Sequence, residues 1–460
     1  LVSTLSQNIT NQKLMTDAAR RAIRYLDSLA ERAVAPDPHA VQQVGRFDEP
    51  LPEGPVDPSE VMALLDEFGS PATIASAGGR FFGFVIGGSL PAALAANWLA
   101  GAWDQNSVFY STSPATARLE QVALGWLLDL FGLSPDCAGA FVTGATVANF
   151  TALAAARHAV LDRAGWNVEA DGLFGAPPVT VVVGEEAHVS LFKALGMLGF
   201  GRNRVLRVPV DGQGRIRPDR LPELSGPAII CVQAGNVNSG AFDPISEICA
   251  RAHRMGAWVH VDGAFGLWAE ASPEYSHLTQ GIGAADSWAT DAHKWLNVPY
   301  DSGLAFVRDG EALRAAMAVT AEYLPTPGAE RNPSDYTPEL SRRGRGVEVW
   351  AALRSLGRSG VADLVERNCR HARRFAEGLR AAGYQVLNDV VLNQVLVSFG
   401  DPETTQRVIA GIQQDGTCWC GGTLWQGHTA MRISVSGWAT TQEDVERSLE
   451  AMLRVARSVA

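Results

Sequence analysis

The chain reads as an α/β protein with a largely parallel sheet in a large domain, a smaller α+β C-terminal domain and an N-terminal helical arm. Three observations predict this. Between residues 140 and 307, short β-branched runs (179–183, 205–208, 228–232, 258–261 and 304–307) alternate with helical patterns, the signature of a parallel sheet wrapped by helices. Beyond residue 346 the order changes: helical patterns at 347–356 and 361–382, strands at 385–387, 394–399 and 431–435, and a final helix at 441–459. Before residue 80 there are apolar stripes but too little chain for an independent core.

Taken in order, residues 13–33 carry Met15, Ala19, Ala22, Ile23, Leu26 and Leu29 at helical spacing with charges between them, an amphipathic helix that needs a partner surface. Six prolines between Pro36 and Pro58 make an extended linker. Asp57-Pro58-Ser59-Glu60 then opens a helix with an acidic cap, a first-turn proline and a capping-box glutamate, and Gly69 with Pro71 ends it. The expected division is an arm at 1–80, a large domain at 81–345 and a small domain at 346–460. Within the large domain, Pro325, Pro327, Gly328, Pro333 and Pro338 rule out a regular element over 320–345. A long irregular segment in a compact protein is more often a functional loop than filler.

At 460 residues the chain exceeds one simple core, and with 47% apolar and 19% charged residues it is globular rather than disordered. A formal net charge of −11 argues against nucleic-acid or anionic-membrane partners and leaves small molecules as the expected ligands. Six cysteines show no framework spacing, which suits reduced thiols. The one close pair, Cys418 and Cys420, lacks a second pair at ligand spacing and reads as packing rather than a metal site. No apolar run reaches the roughly 18 residues of a membrane span. Asp17, Arg20, Arg21 and Arg24 stand where a signal peptide needs apolar residues, so a cytoplasmic location is expected.

The chemistry gathers around residues 286–303, DSWATDAHKWLNVPYDSG. Lys294, beside His293 and Trp295 after a strand-like run, is placed among apolar and aromatic neighbours, where an amine becomes a nucleophile or Schiff-base former. Upstream, the apolar strand at 257–261 ends in Asp262 followed by Gly263 and Ala264, and AFVTGATVANF reads as strand, glycine turn and helix. A strand-end carboxylate, a turn opening a helix and a strand-following lysine are the three anchors that pyridoxal phosphate requires: for the ring nitrogen, the phosphate and the aldehyde respectively.

The segments HVDGAFG (260–266), ATDAHKW (289–295), AHVSLFKA (187–194) and NVNSGAFDPI (236–245) together resemble the group II pyridoxal-phosphate-dependent amino-acid decarboxylases, the family of aromatic-L-amino-acid and glutamate decarboxylases. The resemblance runs from about residue 80 to the C-terminus. It implies the fold of type I pyridoxal-phosphate transferases, with a mostly parallel seven-stranded sheet, and a homodimer whose N-terminal arms are swapped. It implies release of the α-carboxylate of an L-amino acid as carbon dioxide, leaving the amine.

By that resemblance Lys294 forms the Schiff base, Asp262 keeps the ring nitrogen protonated, Ala264 packs against the ring and His188 stacks on its other face. Gly144, Ala145 and Thr146 take the phosphate, with His293 and Asp291 flanking the lysine. The family often has a neutral residue where this chain has Asp291, and a carboxylate beside a phosphate is unfavourable. Asn236 stands where relatives carry threonine near the phenolic oxygen, and Arg432 matches the arginine that holds the substrate carboxylate. Tyr336, in NPSDYTPEL, is the expected loop acid and Tyr323, in AEYLP, the fallback. The same scaffold also supports transamination or aldehyde-forming oxidative decarboxylation. A non-catalytic cofactor-binding protein is disfavoured by Lys294, Asp262 and His188 occurring together. The substrate side chain is not legible.

Overall fold

In a computed structural model the chain is described over residues 2–319 and 330–459. Seven strands form the larger sheet: β1 (Ala138–Val142), β2 (Thr180–Gly184), β3 (Leu206–Val208), β4 (Ala228–Gln233), β5 (Trp258–Asp262), β6 (Ser287–Asp291) and β7 (Gly303–Val307), in the order β1-β7-β6-β5-β4-β2-β3. The pairs β2–β3, β2–β4, β4–β5 and β5–β6 are parallel, and β7 runs antiparallel to both its neighbours. The mostly parallel α/β fold expected from the alternating pattern is therefore what forms.

The continuous apolar runs are explained by burial on both faces. Along β4, Ile230 and Val232 pack with Val259, Val261, Trp288 and Phe306 on one face. Ile229 and Cys231 pack with Val181, Val183, Ala305 and Val307 on the other. The helix Ala145–Asp162 covers the second face with Ala148, Ala152 and Ala155. Small residues let that helix lie close to the sheet, which brings its N-terminus to the strand ends.

The second sheet holds β8 (Gln385–Val386), β9 (Gln394–Ser398), β10 (Gly421–Trp425) and β11 (His428–Ser434) in the antiparallel order β10-β11-β9-β8. The sequence pattern did not show β10, because Gly421 and Gly422 carry no strand preference. It is set instead by a two-residue turn in which Gln426 (φ 47°) and Gly427 (φ 82°) are both left-handed, the geometry that closes a tight hairpin. Cys418 and Cys420 are buried in the core beneath this sheet. The two helices expected at 347–356 and 361–382 form one element, Gly346–Ala381, broken at Gly357, whose φ of 63° only glycine adopts readily.

The first helix, Val2–Ser28, starts earlier than its apolar stripe predicts. Arg21 and Arg24 pair with Asp66, tying it to the segment after the Pro58–Leu64 helix. Arg80 donates to the carbonyls of Ala30 and Arg32, and the Val34 N–H reaches the Gly416 carbonyl at 2.8 Å. Met15, Ile23, Leu26, Leu65, Trp98, Leu99 and Trp103 remain exposed. Among the described residues no helix is long and apolar enough to cross a membrane.

Candidate active site

Parallel strands deliver their C-terminal ends to one edge of a sheet, and here β5 ends in Asp262 and β6 in Asp291. Lys294 follows β6 by three residues, and its main chain is immobilised by buried bonds. Asn297, in a left-handed conformation (φ 55°), donates from Nδ2 to the carbonyls of Trp295 (2.7 Å) and Ser436 (2.9 Å) and accepts the Trp438 N–H (2.9 Å). Trp295 Nε1 donates to Asn368 at 3.0 Å. Gly87 passes so close to the Lys294 carbonyl that no Cβ could be added there.

The lysine ammonium lies 2.9 Å from Asp291 Oδ2. Asp291 Oδ1 accepts the Ala145 N–H at 2.6 Å, at the first turn of the Ala145–Asp162 helix. His293 Nε2 is 3.5 Å from the same oxygen. Because His293 Nδ1 accepts the Ser302 N–H at 3.1 Å, the neutral ring carries its proton on Nε2. Burial lowers the His293 pKa, and Asp291 opposes that shift.

One carboxylate thus takes a helix N–H and an ammonium, with a ring N–H nearby, and those are the groups an anionic phosphate needs. The surroundings are correspondingly tight. A Cβ on Gly144 would meet His293 Cε1 at 3.1 Å and Asp291 Oδ1 at 3.4 Å. The residues present therefore fit pyridoxal phosphate: Gly144, Ala145, Thr146 and His293 would hold the phosphate, Lys294 the aldehyde and Asp262 the ring nitrogen. Asp291 already takes the Ala145 N–H and the lysine ammonium.

Asp262 is buried, and each of its oxygens has one neutral donor: the Ala264 N–H on Oδ1 and Asn149 Nδ2 on Oδ2, both at 3.2 Å. His188 caps the helix Val189–Met197, with Nδ1 2.7 Å from Ser190 Oγ and 3.3 Å from the Ser190 N–H it accepts. That leaves Nε2 for a ligand. Burial lowers its pKa; Asp262 pulls it back up, and Lys294 and Arg432 push it further down. His188 therefore shares one electrostatic neighbourhood with Asp262, Lys294, Arg432 and Asp291.

Arg432, on β11, donates to the Val237 carbonyl at 3.2 Å. Among the described residues no carboxylate lies within ion-pair distance of it, and burial lowers its pKa. A largely desolvated guanidinium without a counter-ion is costly, which suits a site for an incoming carboxylate.

Two expectations change. Asn236 donates from Nδ2 to Glu186 at 3.2 Å, and its carbonyl takes the N–H groups of Asn238 (2.8 Å) and Ser239 (3.2 Å). It organises its own turn, and only its second amide proton is left for a cofactor. Tyr336 does not sit on an open loop. It ends the short 3-10 turn Pro333–Tyr336, lies beneath the Arg331 guanidinium at 4.2 Å and packs on the helix-covered face of the large sheet. Arg331 is itself held by buried Glu120 at 3.1 Å and the Gly139 carbonyl at 2.6 Å. None of these contacts involves Lys294, His188 or Asp262. Tyr323 lies outside the described residues.

Asn149 and His260 were not singled out by sequence. The available signals were periodicity: His260 shares a strand face with Asp262, and Asn149 lies one turn beyond Ala145.

A large mostly parallel sheet with a lysine, a carboxylate and a helix N-terminus at its strand ends defines a type I pyridoxal-phosphate enzyme. The sequence profile of the pyridoxal-dependent decarboxylase conserved domain matches residues 72–400. The chain belongs to the pyridoxal-dependent decarboxylase family, and it is a pyridoxal-phosphate-dependent amino-acid decarboxylase, a carboxy-lyase.

Among its relatives, an aromatic-L-amino-acid decarboxylase of Bacillus atrophaeus is 28% identical, over 73% of this chain and 69% of that protein. An aspartate 1-decarboxylase of Aliivibrio fischeri is 32% identical, over 72% of this chain and 65% of that protein. The crystal structure of Oryza sativa TDC with PLP and tryptamine superposes with a TM-score of 0.90 at 23% identity, covering 97% of each chain. Mouse CSAD gives 0.89 at 21% identity, over 97% of this chain and 99% of that one. At these identities the two structures speak to the fold.

Proposed function

We propose that the chain converts an L-α-amino acid to its amine and carbon dioxide, with Lys294 as the residue that carries the cofactor. The observation behind this reading is the Lys294 ammonium held 2.9 Å from Asp291, whose other oxygen takes the Ala145 N–H at the helix N-terminus. Bound pyridoxal phosphate supplies the electron sink for the bond pair left when the carboxylate departs. Asp262 holds a proton at the ring nitrogen, and its two neutral donors leave its charge for that contact. Gly144, Ala145, Thr146 and His293 would bind the phosphate, and Ala264 and His188 would contact the ring. Arg432 orients the substrate carboxylate.

The acid that returns a proton to the α-carbon is assigned to Tyr323, since Tyr336 is committed beneath Arg331. The substrate side chain stays open: relatives named for aromatic and for acidic amino acids match comparably, and one is a phenylacetaldehyde synthase. Assaying carbon dioxide, amine and aldehyde across a panel of L-amino acids tests the reading. Aldehyde or keto acid as the main product would replace it with one of the rival outcomes.

The arm at 1–80, the large domain at 81–345 and the small domain at 346–460 are proposed as the working division. A homodimer is proposed from the exposed apolar residues Ile23, Leu26, Leu65, Trp98 and Trp103. A monomer mass by light scattering at assay concentration would contradict it.

A further inference from the structure

We propose that Asn149 and His260 are positioning residues that hold Asp262 as an ionised acceptor toward the cofactor's ring nitrogen, an inference that rests on the assignment of Asp262 above. They belong to a continuous buried chain. Trp258 Nε1 donates to Ser287 Oγ at 2.9 Å; Ser287 Oγ lies 2.9 Å from His260 Nδ1; His260 Nε2 lies 2.8 Å from Asn149 Oδ1; and Asn149 Nδ2 lies 3.2 Å from Asp262 Oδ2. Asn149, His260 and Ser287 are fully buried, so no water competes.

The polarity of the chain follows from the charge on Asp262, because the Ser287 hydroxyl can accept from Trp258 in either polarity. The Trp258 N–H can only donate, and an ionised Asp262 can only accept. If Asn149 were flipped, its carbonyl oxygen would face a carboxylate oxygen at 3.2 Å, which is tolerable only if Asp262 were protonated. An ionised Asp262 therefore requires the Asn149 amide to point toward it, the Nε2–H tautomer of His260 and a Ser287 hydroxyl donating to Nδ1. His260 is neutral, its pKa pulled down to about 3 by burial. It thus contributes orientation without adding a cation that would compete with the protonated ring nitrogen for the Asp262 charge. In that orientation the chain supports the ionised carboxylate, with Asn149 donating to it directly and His260 one residue further back.

The test uses the full chain, with apo-protein titrated by pyridoxal phosphate and the bound cofactor's visible absorbance followed against pH. Asn149→Asp is isosteric and still accepts from His260 but loses the donor toward Asp262. His260→Leu removes the donor to Asn149, whereas His260→Gln keeps an N–H there. Asn149→Asp should weaken cofactor binding about tenfold and move the absorbance titration by about one unit, the effect of one lost bond to a charged group, and His260→Leu, which loses the bond to neutral Asn149, should move both in the same direction by less. His260→Gln should recover most of both. An unmoved absorbance titration in Asn149→Asp and His260→Leu, even with lowered melting temperature, would reduce the chain to a structural role and overturn the proposal. Asp262→Asn separates the two readings: if it too leaves affinity and absorbance unchanged, the assignment of Asp262 fails first. If His260→Leu does not fold, Asn149→Asp and His260→Gln still decide the matter.

Discussion

Asp291 ties Lys294 to the helix N-terminus: its Oδ2 lies 2.9 Å from the lysine Nζ, while its Oδ1 takes the Ala145 N–H at 2.6 Å. On the proposed placement of the cofactor, this carboxylate occupies donors that the phosphate would use. Asn at this position would still accept the Ala145 N–H but would no longer repel the phosphate. Asp291→Asn should tighten pyridoxal phosphate binding by about three- to tenfold, an effect of about 1 kcal/mol. A weaker cofactor complex, measured by titrating the apo-protein, would show that Asp291 holds the cofactor rather than competing with it.

Arg432 has a different readout, because its proposed partner is the substrate. Replacing it with Gln should lower kcat/KM by about ten- to a hundredfold through KM, the size of a lost charge-assisted bond, and leave cofactor affinity unchanged. If the variant instead loses cofactor at unchanged KM, the guanidinium serves the cofactor pocket.

The two tyrosines make an opposed pair. Tyr336 lies beneath Arg331, so Tyr336→Phe should keep amine formation within about twofold. Tyr323→Phe should lose most of it and divert turnover to aldehyde, as expected when a general acid is removed. The reverse pattern of amine and aldehyde yields would return the acid role to Tyr336.

Acid should destabilise the protein through its buried histidines. Burial pulls His260 to about 3 and His371 to about 4, and lowers His188 and His293 as well. Unfolded, these rings take up protons near 6.5, so the stability they contribute is full above 6.5 and is lost as pH falls toward 4. Asp243 works against them: burial raises it to about 7, so its contribution is full below the ordinary carboxylate range and is lost as pH rises toward 7. Burial raises Glu270 and Asp335 in the same direction as Asp243, and the four histidines outnumber these three carboxylates between about pH 4 and 6.5. The melting temperature of the apo-protein should therefore be higher at pH 6.5 than at pH 5, and the opposite order would mean that these rings are charged in the fold.

Much of this was legible in the sequence because it is periodic or local. The β-branched runs marked the large sheet, and DAHKW and HVDGAFG marked Lys294 and Asp262. What escaped was non-local. Asn149 and His260 meet only after residues more than a hundred apart fold together, and neither stands out among ordinary helix and strand residues. Strand β10 is set by a turn and its pairing with β11 rather than by β propensity. The seat of Tyr336 depends on Arg331 and, through it, on Glu120 in a distant helix, which no loop composition reveals.

The central claim is that Lys294 carries the cofactor, and the chain's composition makes it directly testable. There are three lysines, Lys13, Lys193 and Lys294, and the first two are exposed on helices. Reducing the holoenzyme with borohydride turns a carbon–nitrogen double bond into a stable amine, and mass mapping of the peptides then locates it. The expected result is a phosphopyridoxyl group on Lys294 alone, lost in Lys294→Ala. Label on Lys193 or Lys13 with Lys294 unmodified would contradict it.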